Sequence, residues 1–292
     1  MVEREGLILK GVGGFYTVWD GEVSVVCKLR GRLRLVHLRP LPGDRVRIQV
    51  LPDGSGTIDE ILPRKNAFVR PPVANIETLV VVGARAVPET DPFLIDRMTA
   101  LAESKGIGVL ICLNKIDLKP ADELAEVCRA VGYPTVLLSA ETGAGVDELA
   151  RFIAGKVVAF TGNSGVGKSS LLNRLRPELA LRVGEVSHRG GRGRHTTRHT
   201  ELLPMQSGAW AADTPGFSTF DDESLEQIQL QALRDLFPEF RPFEDACRFT
   251  DCHHIGVAGC AVLEALARGA IPASRHASYA RLYRAASGRR QF

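Results

Sequence analysis

Residues Gly162, Asn163, Ser164, Gly165, Val166, Gly167, Lys168, Ser169 and Ser170 follow an apolar run over 156–162 and open a helix-forming stretch over 167–175. That pattern, G-x-x-x-x-G-K-[ST] between a strand and a helix, limits the fold more than any other feature of the chain. The loop needs the carboxyl end of a buried strand. There the glycines let successive backbone N–H groups curl around phosphate oxygens, and the helix N-terminus adds its dipole. In that setting Lys168 reaches the terminal phosphates and the Ser169 hydroxyl ligates magnesium. Further apolar runs at 78–83, 107–114, 135–140 and 209–214, with another near 199–204, alternate with helical stretches at 92–104, 121–131 and 146–153. Such alternation predicts a mostly parallel sheet covered on both faces.

Two more motifs follow predicted strands. Asp213-Thr214-Pro215-Gly216 ends the run at 209–214, which places its carboxylate at the ligand-binding edge of the sheet. There Asp213 holds magnesium through water, and the Gly216 N–H senses a γ-phosphate. Asn114-Lys115-Ile116-Asp117 ends the run at 107–114, and Ser139-Ala140 ends the run at 135–140. The Asp117 carboxylate accepts from the N1–H and exocyclic amine of guanine, where adenine offers neither donor. Leaving a site's polar groups unpaired in this way is worth about 10⁴ to 10⁵ in selectivity. Asn114 braces the loop and the purine edge, Lys115 lies over the ring, and the Ala140 N–H donates to the base carbonyl. Taken alone, each of these short motifs is a common turn; position after a buried strand gives them weight. Their order is unusual, because ordinary GTPases place the phosphate loop first and N-K-x-D last. Here the set is complete but rotated, which the nearness of domain termini permits.

The flanks read differently. Short strand-like runs at 7–10, 15–19, 23–29, 34–38 and 46–51 predict a small barrel, and the polar, proline-bearing stretch 63–72 reads as a linker. Cys27, Cys112 and Cys128 sit alone in apolar stretches, as buried small hydrophobes do. Cys247, Cys252 and Cys260 cluster with His253 and His254, three thiolates and an imidazole that make the closed tetrahedral set of a structural zinc site. From residue 224 the pattern turns helical. The net charge of +3 is mild but uneven. Arg268, Arg275, Arg281, Arg284, Arg289 and Arg290 follow the last acidic residue, Glu264, and further clusters lie at Arg30, Arg32, Arg34 and Arg39 and at Arg189, Arg192, Arg194 and Arg198. Each is either a phosphate-facing patch or a solvated face. Phe15, Tyr16 and Trp19 lie near the basic residues 30–39 and could stack on RNA, with core packing the expected fate of at least two. No apolar run reaches the roughly 18 to 20 residues of a membrane span, and the acidic start lacks a signal peptide's features, so a cytoplasmic chain is expected.

The rotated order, with a strand-rich segment in front and the Cys/His cluster behind, resembles the ribosome small subunit-dependent GTPase A family, also called RsgA or YjeQ. The likeness covers nearly the whole chain and is carried by GEVSVVCKLRGRLR, LNKIDL, LSAETGAGVDEL, TGNSGVGKSSLLN, GRGRHTTRHTELL, DTPGF, FPEF and CRFTDCHHIGVAGCAV. It implies a multidomain α/β chain: an N-terminal OB-fold β-barrel (1–68), a circularly permuted P-loop GTPase domain (69–220) and a C-terminal α-helical zinc-binding domain (221–292). It also implies a monomeric GTP hydrolase that uses GTP/GDP, Mg²⁺ and one structural Zn²⁺. The small ribosomal subunit and its rRNA would be its partners, stimulating turnover during late maturation of that subunit. By the same resemblance His254 rather than His253 completes the zinc site. In the basic stretch 190–199, Thr196 or Thr197 closes on magnesium and the γ-phosphate, Thr197 being preferred. Where many GTPases carry a water-orienting Gln after D-x-x-G, this chain has Phe217, so slow intrinsic hydrolysis is expected. RNA docking would then bring His195, His199 or a ribosomal group to the attacking water. A GTP-gated RNA-binding module with incidental turnover is the alternative; an ATPase is opposed by residues 114–117.

Overall fold

The computed structural model describes residues 2–34, 39–69, 71–179, 200–213 and 230–288. Period-two alternation builds the first unit. β1 (Val2–Val12), β2 (Phe15–Trp19), β3 (Ser24–Leu29), β4 (Arg45–Val50) and β5 (Gly56–Ile61) close in the order β1-β2-β3-β5-β4-β1, antiparallel except for the β3·β5 pair. Alternate residues deliver Ile8, Val18, Val25, Cys27, Val46, Ile48 and Ile58 to one core, the five-stranded barrel of an OB-fold. One expected strand, 34–38, is not borne out at its start: residues 31–34 form the helical turn α1 (Gly31–Arg34), and 35–38 lie outside the described residues. Tyr16 packs on the barrel core, Trp19 packs across to Trp210 with ring centroids 5.8 Å apart, and Phe15 stays exposed beneath the Lys28 ammonium.

The stretch 63–72 is anchored rather than free. Arg64 pairs with both oxygens of buried Asp44 at 2.6 and 2.8 Å, and β6 (Ala67–Phe68) pairs with β7 (Val73–Ala74). Its polar composition marks a connection, but the partner of Arg64 lies far back in the barrel.

The second unit is the layered sheet. β8 (Thr78–Ala84), β9 (Gly108–Asn114), β10 (Thr135–Leu137), β11 (Val157–Thr161), β12 (Glu201–Pro204) and β13 (Trp210–Asp213) lie in the order β10-β9-β8-β11-β13-β12, parallel except for β12. Every residue of β8 is buried, because alternate side chains serve two cores. Leu79 and Val81 meet α2 (Pro92–Ser104) and α3 (Asp122–Ala130) on one face. Val80 and Val82 share the other with α4 (Val146–Ile153) and α5 (Lys168–Leu175). Three strands precede β11 in sequence, yet β11 occupies the middle of the sheet; this is where the rotation becomes physical. At the far edge β12 meets β1 through Lys10 and Glu201, whose side chains pair at 2.9 Å, joining barrel and sheet.

The C-terminal segment packs α6 (Arg241–Glu244), α7 (Ala261–Ala267) and α8 (Ala273–Gly288) around Phe237, Phe240, Val262, Ile271 and Tyr279, with Ala100 of α2 in the same cluster. Arg275 corrects the reading of a phosphate-facing tail. Its guanidinium is buried and donates to Glu239 at 2.6 and 3.1 Å, to Asp96 at 2.9 Å and to Thr99 at 3.1 Å, tying α8 to α2. Desolvating such a charge is tolerable only with partners of this kind. Arg281 stacks on Phe93 at 3.7 Å, Arg284 is exposed, and Arg289 and Arg290 lie outside the described residues, as do Arg189, Arg192, Arg194 and Arg198. Among the described residues no helix is long and apolar enough to cross a membrane.

Candidate functional site

The loop after β11 is shaped by glycines that admit no side chain. Gly162 has φ 139°, and a Cβ there would stand 2.1 Å from Val82 O; Gly167 has φ 99°, and a Cβ would stand 2.3 Å from Asn114 Nδ2. Both lie in backbone regions that other residues avoid. Lys168, in the first turn of α5, donates through Nζ to Gly162 O at 2.6 Å and Asn163 O at 2.7 Å, so the amine folds over the loop. Burial lowers its pKa to about 8, leaving it ready to gain from an anion. Ser169 is buried beside it, while Ser164 and Gly165 are exposed.

Asn114 ends β9 and joins three loops. Its Nδ2 donates to Val166 O at 2.7 Å, and its Oδ1 accepts from the Ala140 N–H at 3.0 Å. One amide thus holds the segments at 114, 140 and 166 against one another. Ser139 is fully buried, its Oγ accepting from the Thr142 N–H at 3.1 Å. Lys115, at φ 66°, donates through Nζ to Val87 O at 2.8 Å, and the Asp117 carboxylate is exposed at the same edge. The Ala140 N–H and the Lys115 amine therefore have protein partners here, where the sequence reading aims them at a base. Residues 85–90 escaped that reading although they border both motifs: Val87 meets Lys115, and Pro88 Cγ would lie 3.1 Å from a Cβ at Gly165. The signal available was position, since a loop leaving a central parallel strand emerges at the ligand edge.

β13 pairs in parallel with β11, Val157 with Trp210 and Ala159 with Ala212, so the backbone at Asp213 emerges beside the phosphate loop. Thr214, Gly216 and Phe217 lie outside the described residues, as do His195, Thr196, Thr197 and His199.

The second cluster is local. Cys247, Cys252, His254 and Cys260 bring one ligand atom each within 4.8 Å of one another. His254 aims Nδ1 at the sulfurs, 3.4 Å from Cys260 and 3.7 Å from Cys247, and Glu244 Oε1 lies 3.9 Å from its Nε2. His253 turns away to stack on Tyr283, with centroids 5.3 Å apart and planes at 9°. Burial lowers His254 to a pKa of about 4, keeping the imidazole neutral as a ligand must be, and pushes the Cys260 thiol up to about 12. Among the described residues the buried Nε2 and Oε1 have no hydrogen-bond partner. Three thiols, a neutral imidazole and an acidic group behind the ring make a donor set that fits Zn²⁺. Cys260 also caps α7, accepting from the Leu263 N–H at 3.5 Å.

A central phosphate loop, a base loop from an earlier strand and a parallel sheet with one antiparallel edge define a P-loop GTPase in permuted order. The RsgA GTPase family model matches residues 61–223, and the RsgA N-terminal domain model matches residues 5–58. The small ribosomal subunit biogenesis GTPase of Moorella thermoacetica is 44% identical, covering 94% of each chain, and that of Caldanaerobacter subterraneus is 41% identical over 97% of this chain and 96% of its own. The crystal structure of YjeQ from Thermotoga maritima superposes with a TM-score of 0.85 at 35% identity, covering 98% of this chain and 99% of that one. YloQ, a circularly permuted GTPase, gives 0.84 at 32%, covering 99% and 96%. This chain belongs to the RsgA GTPase family.

Proposed function

We propose that the chain hydrolyses GTP to GDP and phosphate in late maturation of the small ribosomal subunit, and that docking on the subunit and its rRNA stimulates turnover. In this reading residues 162–170 cradle the phosphates with Lys168 as their cation, and Asn114, Lys115, Asp117, Ser139 and Ala140 select guanine. When bound, Mg²⁺ neutralises charge developing on the phosphate oxygens, with Ser169, Thr197 and Asp213 to hold it. Gly216 senses the γ-phosphate, and His195, His199 or a ribosomal group orients the water that Phe217 cannot. Cys247, Cys252, His254 and Cys260 hold one structural Zn²⁺. The barrel (1–68), the GTPase unit (69–220) and the zinc unit (221–292) act as one cytoplasmic monomer, with exposed Phe15 and Lys28 among the RNA-facing groups.

The observation that carries the reading is the Asn114 amide, which holds the phosphate loop and both base-side segments together. Docking as the trigger is supported by Phe217 standing where many GTPases carry a glutamine: the water-orienting group, His195, His199 or one from the ribosome, is then brought into place by RNA. GTP turnover with and without purified small subunits is the test. Stimulation of tenfold or more is expected, and unchanged turnover would overturn the proposal. Release from the subunit with a non-hydrolysable analogue at the rate seen with GTP would instead favour a GTP-gated binding module.

A further inference from the structure

Asn114 holds the base loop from one side only. From the other side comes Arg174, near the carboxyl end of α5, whose Nε donates to Ala140 O at 2.7 Å and whose Nη2 donates to Glu141 O. Neither carbonyl has a role in the motif reading. The rest of the loop is pinned through Ser139, whose Oγ accepts from the Thr142 N–H, whose N–H donates to Ala144 O at 2.9 Å and whose carbonyl accepts from the Gly143 N–H at 2.9 Å. Residues 140 and 141 depend on the guanidinium for the orientation of their carbonyls. Because α5 begins at Lys168, Arg174 also ties the base loop to the helix that carries the phosphate lysine. The planar guanidinium presents its N–H donors in a fixed fork to the two carbonyls, whereas an ammonium is a point charge on a flexible stem that would set them less rigidly.

We propose that Arg174 is a positioning residue for guanine selection: by clamping the carbonyls of Ala140 and Glu141 to α5, it sets the base loop at the height from which the Ala140 N–H, which donates to Asn114 Oδ1 in this structure, turns to the guanine carbonyl. The proposal rests on the guanine-reading role given above to residues 114–117 and 139–140. It assigns Arg174 no contact with nucleotide. Its loss should therefore weaken guanine nucleotides and spare adenine nucleotides, which gain nothing from that donor.

Displacement of a fluorescent GDP analogue by GDP, ATP and XDP tests this on the full chain with Arg174→Ala, Arg174→Lys and, as a separate control, Asp117→Asn. Arg174→Ala should weaken GDP roughly five- to tenfold, the effect of one or two charge-assisted hydrogen bonds. ATP should hardly move, so GDP-over-ATP discrimination shrinks by the same factor. In turnover, KM for GTP should rise by more than kcat falls, and Arg174→Lys should fall between wild type and alanine. Unchanged GDP affinity, or equal weakening of GDP and ATP as a general loosening of the helix would give, overturns the proposal. Asp117→Asn probes the underlying reading, because an amide offers a donor where xanthine carries a carbonyl in place of guanine's amine. If it fails to admit XDP, the guanine reader itself falls; if it admits XDP while Arg174→Ala stays silent, only Arg174 is removed.

Discussion

Asn114 and Val166, joined by one hydrogen bond, stand 52 positions apart, whereas all four donors of the Cys/His cluster fall within residues 247–260. The nucleotide site is assembled largely from backbone at the sheet edge, left-handed glycines, carbonyls and N–H groups, with the Asn114 amide joining the loops. The cluster is assembled from side chains, whose unfavourable burial a shared cation would offset. The Cys260 thiol, displaced from water, and an imidazole nitrogen that has no hydrogen-bond partner among the described residues gain little from one another. A site of the first kind fails by steric intrusion and leaves the fold standing. A site of the second kind fails by losing a donor, and the surrounding fold goes with it.

The largest effect expected from this contrast is in the cluster. Cys260→Ser removes one thiolate and weakens the cap of α7, and structural zinc carries an apparent folding free energy of about 10 kcal/mol or more. With zinc bound as proposed, the variant should lose the metal and most helicity of residues 230–288. Metal content, circular dichroism and protease sensitivity would show it, and a variant purified with full metal and native helicity would contradict the claim. Nucleotide affinity should fall far less, because among the described residues the junction with this segment is built mainly on α2, to which Arg275 is tied.

Gly167→Ala is the mirror experiment. The methyl would stand 2.3 Å from Asn114 Nδ2 at φ 99°, so it strains the backbone by about 1–3 kcal/mol and displaces the amide that spans three loops. GDP affinity should fall at least about a hundredfold, while metal content and the helicity of 230–288 stay native. Calorimetry with GDP gives the first number, and a variant that binds within fivefold of wild type would break the contrast.

The same contrast explains what could be read without a structure. Residues 162–169 and 114–117 are legible because each fixes a local backbone shape after a buried strand, and the cluster because its spacing is short. Arg275 misled, because composition reports the sign of a charge but not that Glu239 and Asp96 withdraw it from solvent. The contacts of Arg64 with Asp44, of Lys10 with Glu201 and of Val87 with Lys115 have no local signature either; each joins surfaces that only the folded sheet and barrel bring together. The partners of the Ala140 N–H and the Lys115 amine belong to this class, since a motif names donors but not where they rest.

The smallest effect is a proton. Burial holds the Lys168 pKa at about 8 against 10.5 for the free side chain, and a bound polyphosphate must raise it again by pairing with the ammonium. Below pH 8 both states are protonated, and GDP affinity should be flat. Above pH 8 the nucleotide-free protein loses the proton that the complex keeps, so binding takes one up and affinity falls by at most tenfold per pH unit. Folding without nucleotide runs the other way. Between pH 8 and 10.5 the unfolded chain binds the proton more tightly than the folded one, so this group's penalty relaxes as pH rises through that window. Calorimetry between about pH 7 and 9, in buffers of different ionisation enthalpy, reads the uptake directly. Lys168→Met should abolish the uptake. Affinity and proton count unchanged across that range would mean that the amine is already paired as strongly in the empty loop as it is with phosphate, and that the backbone carbonyls of Gly162 and Asn163 suffice to hold its charge.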